Sequence, residues 1–199
     1  MDAFAFLVSI LLGYALGSIP FGLILTQKAG LGDIRKIGSG NIGATNVLRT
    51  GHKGLALLTV LLDASKAGIA ALICTYLFHN PFFGFCAGAA GVLGHIFPIY
   101  LKFKGGKGVA SCLGVFVFMT PLIGLLAALT WLLAAKFTKY SSLGAITMFL
   151  LTPLYAFLGA SSMAGFFYTG LCLLCLYRHK QNIARLLAGT ETKIQLRKK

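Results

Sequence analysis

VASCLGVFVFMTPLIGLLAALTWLLAA, residues 109–135, is an apolar run whose one interruption is Thr120-Pro121. A membrane-spanning helix needs about 20 apolar residues. The run is therefore either one long tilted helix or two short ones that turn at Thr120-Pro121. Further apolar segments lie on either side, at 4–26, 54–78 and 82–101, then at 142–158 and 162–177. Reading 109–135 as one helix gives six spans; reading it as two gives seven.

Charge separates these readings. Of the 18 Lys and Arg, all but Lys66 fall in residues 27–53, 102–108, 136–141 and the tail from Arg178. With seven spans those four connections share one side of the membrane, and the opposite side carries no cation. With six spans the Arg178 tail would cross over, against the tendency of Lys and Arg to collect on the cytoplasmic side. The expected fold is thus an all-α, polytopic membrane bundle of about seven helices, N-terminus out and C-terminus cytoplasmic. Two helices of about 13 residues reach only about 20 Å each, so they must be short and sheltered by neighbours.

Composition agrees. The chain is 57% hydrophobic and 11% charged, where soluble domains carry about 25% charged residues. The net charge of +14 would suggest nucleic acid in a soluble protein, but here topology accounts for it. Met1-Asp2-Ala3 lacks a basic n-region, so the first apolar segment reads as an anchor and not a cleaved signal. All five Cys lie in apolar runs, and the Cys172–Cys175 spacing has no second pair to make a metal or redox site. No repeat or linker divides residues 1–199, which read as one domain.

Three polar clusters fall on the cationic face. The first, Gly38-Ser39-Gly40-Asn41-Ile42-Gly43-Ala44-Thr45-Asn46-Val47-Leu48-Arg49, combines turn-forming glycines, small neutral donors and a guanidinium, a composition suited to holding phosphate. The second, Lys102-Phe103-Lys104-Gly105-Gly106-Lys107-Gly108, enters a helix at Val109. A Gly-rich turn there can aim backbone N–H groups at an anion, although the spacing is not that of a nucleotide P-loop. In the third, His179, Asn182 and Arg185 share one helical face, suited to orienting an anionic substrate or equally to lying on acidic lipid. Asp63 and Lys66 sit three apart inside a span; such a pair is a functional candidate, but self-neutralisation favours a structural role. His95, just before Phe97-Pro98, is read as structural.

Absences narrow the chemistry. The four acids, Asp2, Asp33, Asp63 and Glu191, form no carboxylate pair, and no HExxH occurs, so no metal and no cofactor is expected. There is no Gly-x-Ser-x-Gly elbow, and no base lies near Ser39 in sequence. The residues suit catalysis by positioning and charge neutralisation of an already activated donor. A carrier for phosphate esters or organic anions is the alternative, although carriers usually show inverted repeats and midplane sites.

Together these stretches resemble the bacterial acyl-phosphate-dependent glycerol-3-phosphate acyltransferases, the PlsY family. The resemblance rests on Ser39-Gly40-Asn41, Asn46 and Arg49; on Gly94-His95-x-Phe97-Pro98 with Lys104-Gly105-Gly106-Lys107-Gly108; and on His179-x-x-Asn182-x-x-Arg185 with Gly189 and Glu191. Gly17-Ser18-Ile19-Pro20-Phe21-Gly22 and Leu62-Asp63-x-x-Lys66 add to it. It implies acyl transfer from acyl phosphate to the 1-hydroxyl of sn-glycerol 3-phosphate, giving lysophosphatidic acid and phosphate, the first step of phospholipid synthesis. It implies a multi-pass protein of the bacterial cytoplasmic (inner) membrane, embedded in the lipid bilayer with its site facing the cytoplasm; a monomer is expected, although nothing in the sequence fixes the oligomeric state. Ser39, Arg49, Lys107, His179 and Asn182 are implied as catalytic. Gly40, Asn41, Asn46, Lys104, Gly105, Gly106, Gly108 and Arg185 are implied at the substrates, with Glu191 structural. His179 or a substrate phosphate accepts the proton.

Overall fold

The computed structural model describes residues 2–194, which contain helices and no strand. Arg197, Lys198 and Lys199, counted above among the cytoplasmic cations, lie outside the described residues. The helices are α1 (Ala3–Gly17), α2 (Phe21–Lys28), α3 (Ala44–Leu48), α4 (Lys53–Leu77), α5 (Pro81–Ile96), α6 (Val109–Met119), α7 (Pro121–Thr138), α8 (Ser141–Gly159), α9 (Ser162–Arg178) and α10 (Lys180–Leu187). Short 3₁₀ turns occupy Ile34–Lys36 and Ile99–Leu101.

The break in 109–135 is present. Pro121 opens α7 and disfavours the α conformation at the residue before it, so Thr120 adopts φ −145°, ψ 80°. The Thr120 hydroxyl holds the corner, 3.1 Å from Phe116 O and 2.7 Å from the Tyr168 hydroxyl. The two pieces are unequal, 11 and 18 residues, because α7 continues past Ala135 to Thr138. Among the described residues five helical stretches are long and apolar enough to cross a membrane: 3–28, 53–77, 81–101, 121–138 and 141–159. The segment read as a single apolar run at 4–26 is itself broken. Pro20 has no N–H and caps α2, so the chain bends between α1 and α2.

Small residues set the packing. A methyl group on Gly17 would overlap the Gly91 carbonyl, and one on Gly114 the Ala64 carbonyl, so α1 lies directly on α5, and α6 on α4. α4 packs against α1, α5 and α6, whereas α8 packs against α7 and α9. The main core is built around Phe116, Phe149, Met148 and Tyr168 and joins the two groups. All five cysteines are buried and free, with the Cys112 and Cys175 sulfurs 3.4 Å apart.

Candidate active site

The first loop is organised by one side chain. Asn46 is buried, and its amide nitrogen donates to Ile34 O (3.0 Å), Ile37 O (2.9 Å) and Asn41 O (2.9 Å). Its Oδ1 accepts from Ser39 N at 3.0 Å and lies 3.4 Å from Arg49 Nη1. Gly38 and Gly40 take φ of +57° and +70°, and a Cβ on Gly38 would strike Asn46 Oδ1. Asn41 accepts from Gly43 N at 3.0 Å, which closes the turn into α3. The loop is therefore held from within, leaving Ser39 and Arg49 exposed toward one cavity.

That cavity has a volume of about 870 Å³. Ser39, Gly40, Asn41, Asn46 and Arg49 line it from the first loop, Gly105, Lys107 and Gly108 from the second, and Asn182 and Arg185 from α10. Val60, Leu113, Trp131 and Met148 continue it as an apolar wall between the two helix groups.

The third cluster splits. Lys107 Nζ donates to Asn182 Oδ1 at 2.5 Å, and Asn182 Nδ2 donates to Glu191 Oε1 at 2.6 Å. Glu191 also accepts from Ser142 (2.7 Å) and Arg185 Nε (2.7 Å). Burial alone would raise the Glu191 pKa, but these three donors outweigh it and hold the carboxyl below its ordinary range. Burial, reinforced by the neighbouring Arg185 and Arg49 charges, lowers Lys107 to about 8.

His179 faces away from this face of α10. It is buried against Phe149, at 5.8 Å between ring centroids, and its Nδ1 donates to Cys175 O at 2.7 Å. It does not contribute to the cavity wall. A helical wheel would place it with Asn182, but the chain kinks between α9 and α10, so the shared face begins at Asn182. Burial, aided by the Lys107 charge and only partly offset by the Cys175 bond, pushes its pKa down to about 4.

The expectation that the second loop aims its glycine amides at an anion is corrected. The Gly105 and Gly106 amides do not point at the cavity. They donate to Ile96 O (3.1 Å) and His95 O (3.0 Å), and so cap the end of α5. Lys104 is exposed and lies outside the lining, with Phe103 and Lys102 before it in left-handed backbone conformations. What the loop delivers is Lys107 and the start of α6 at Gly108.

Arg178 was missed by sequence reasoning. Its guanidinium lies over the Phe97 ring at 5.4 Å and lines the cavity. At the end of a span it looks like an ordinary interfacial cation, and only its packing on Phe97 turns it inward.

The model of the family described as glycerol-3-phosphate acyltransferase matches residues 7–189. The chain belongs to this family. A glycerol-3-phosphate acyltransferase of Rhodospirillum rubrum is 50% identical over 206 residues, covering 100% of this chain and 95% of the relative. One from Sinorhizobium medicae is 49% identical over 188 residues, covering 94% and 92%. Crystal structures of PlsY (YgiH), an integral membrane glycerol 3-phosphate acyltransferase, are similar throughout. Its glycerol 3-phosphate form has TM-score 0.90 at 38% identity, covering 96% of each chain. Its lysophosphatidic acid form has TM-score 0.88 at 37% identity. The chain is thus an acyltransferase, and family membership sets the carrier alternative aside.

Proposed function

We propose that this acyltransferase moves an acyl group from acyl phosphate to the 1-hydroxyl of sn-glycerol 3-phosphate, giving lysophosphatidic acid and inorganic phosphate. The observation that carries this reading is one cavity lined both by Arg49, Lys107 and Arg185 and by Val60, Leu113, Trp131 and Met148. Acyl phosphate has the matching form, an anionic head on a long apolar chain.

Two phosphate groups meeting in the site bring about −3 to −4 of charge. Arg49 and Lys107, with Arg178 and Arg185 around them, offset it, and Ser39 and Asn182 supply neutral donors that orient the oxygens. Asn46, Gly40 and Asn41 fix the loop that carries Ser39 and Arg49. The acceptor hydroxyl oxygen attacks the acyl carbon, the carbon–oxygen bond to phosphate breaks, and phosphate leaves with the electron pair. Among the described residues the Ser39 hydroxyl makes no hydrogen bond to a base, which favours direct transfer over an acyl-enzyme. A buried His179 with pKa near 4 and its Nδ1–H tied to Cys175 is a poor proton acceptor. A substrate phosphate oxygen, with a second pKa of about 6, is the better one. His179 then positions Asn182 by fixing the α9–α10 junction.

The reading includes a seven-span protein of the bacterial inner membrane that works as a monomer with its site facing the cytoplasm. The spans are α1–α2, α4, α5, α6, α7, α8 and α9; α6, about 17 Å long, is sheltered by α4 and α5.

Purified protein in lipid nanodiscs, given glycerol 3-phosphate with palmitoyl phosphate or palmitoyl-CoA, tests the donor. Lysophosphatidic acid is expected from palmitoyl phosphate alone, and comparable product from palmitoyl-CoA would overturn the assignment. Labelling of single cysteines placed at Lys104 and Asn80 in intact cells tests the topology: only the Asn80 position should react with an impermeant reagent.

A further inference from the structure

The Asp63–Lys66–His95 array, read from sequence as structural, has one group without a protein partner. Lys66 is buried, and its ammonium has three hydrogens with three acceptors: Ile19 O at 2.7 Å, Asp63 Oδ1 at 2.7 Å and His95 Nδ1 at 3.0 Å. The Asp63 carboxylate is 3.6 Å from His95 Nδ1, too far to take a hydrogen from it. His95 Nδ1 is therefore an acceptor, and the neutral ring carries its hydrogen on Nε2. Among the described residues no protein atom bonds to Nε2, and His95 lines the cavity. Gly106 lies against this edge of the ring, where a Cβ would collide with Nε2. A second unused donor is close by. Arg178 Nε is buried without a partner, and the Phe97 ring, two residues beyond His95, holds the guanidinium at the end of α5.

We propose that His95 Nε2–H and the Arg178 guanidinium form an oxyanion subsite on the α5–α9 side of the cavity, which binds the phosphate oxygens of a phosphate monoester or of released phosphate. The subsite rests on the reading that the cavity receives phosphate groups. Lys66 is then a positioning residue that fixes the His95 tautomer, which accounts for keeping a costly buried ion pair in this place. Donors in a protein interior are rarely left unpaired, and an oxyanion arriving in the cavity gives His95 Nε2–H and the guanidinium of Arg178 a partner.

Full-length protein labelled with 15N-histidine in nanodiscs tests this without any acyl donor. The His95 resonances are expected to report the Nε2–H tautomer, and inorganic phosphate or glycerol 3-phosphate should move Nε2 more than Nδ1. A response to both probes assigns the subsite to phosphate as such, and a response to glycerol 3-phosphate alone assigns it to the acceptor. An Nδ1–H tautomer, or an Nε2 resonance that neither probe moves, overturns the proposal. Equilibrium binding supplies the second arm: His95→Phe should weaken phosphate binding roughly tenfold, while His95→Gln, which keeps an N–H, should stay within about threefold of wild type. Equal losses in both variants would also overturn it. If acyl transfer fails while the phosphate response is present, the donor assignment falls and the subsite stands; transfer without the response removes the subsite alone.

Discussion

Among the described residues, Lys66 and Lys107 are the two lysines turned into the bundle, and they differ in what is left over. Lys66 lies inside α4 with all three hydrogens committed to protein acceptors. It ties α4 to α5 and to the carbonyl freed at the α1–α2 break. Lys107 lies in the loop that leads into α6, and among the described residues its one protein acceptor is Asn182, leaving two hydrogens for a ligand. A buried cation is a fastener when the protein satisfies it and a binding group when the protein stops short.

Removing each lysine therefore has a different consequence. Lys66→Met strands the Asp63 carboxylate in the bundle and should cost about 3–5 kcal/mol, seen as lost yield and a lower Tm; the Asp63→Asn, Lys66→Met double variant should recover much of it. Lys107→Met should leave Tm nearly unchanged and lower kcat/KM by about a hundredfold, the scale of one lost charge-assisted contact in a transition state. If the two variants behaved alike, the distinction would fail.

A smaller stability effect is expected in the first loop. Asn46→Asp replaces a donating amide with an acceptor facing three carbonyls, and should cost about 2–3 kcal/mol and most activity, measured by thermal unfolding and acyl transfer. The pH profile sharpens the comparison further. Lys107 is charged below about 8 and loses its charge as pH rises through that value. kcat/KM for the phosphate substrates should accordingly fall above pH 8, and the fall should vanish in Lys107→Arg, whose guanidinium stays charged. The smallest effect is expected at Asp33. The Arg35 guanidinium beside it lowers its pKa to about 2, but the pair is exposed, so Asp33→Asn should leave both Tm and activity unchanged.

The sequence made the helix break at Pro121, the all-helical architecture and most of the cavity rim legible, because proline chemistry, hydropathy and charge are local signals. The second loop was read only in part. A Gly-rich turn before a helix looks the same whether its amides face an anion or cap the preceding helix, and Gly105 and Gly106 do the latter. His179, grouped with Asn182 and Arg185 by their i, i+3, i+6 spacing, sits off their face because the kink after Arg178 interrupts the helix. Arg178 and His95 were undervalued for one reason: their surroundings come from residues far apart in the chain.

The central claim is direct transfer between two phosphate-bearing substrates in one cationic cavity. Phosphate release from palmitoyl phosphate, followed in nanodiscs with and without glycerol 3-phosphate, tests it most directly. The account predicts release only when the acceptor is present, with one lysophosphatidic acid formed per phosphate and no burst. A stoichiometric burst of phosphate without acceptor would mean that the acyl group passes through the protein, and would contradict it.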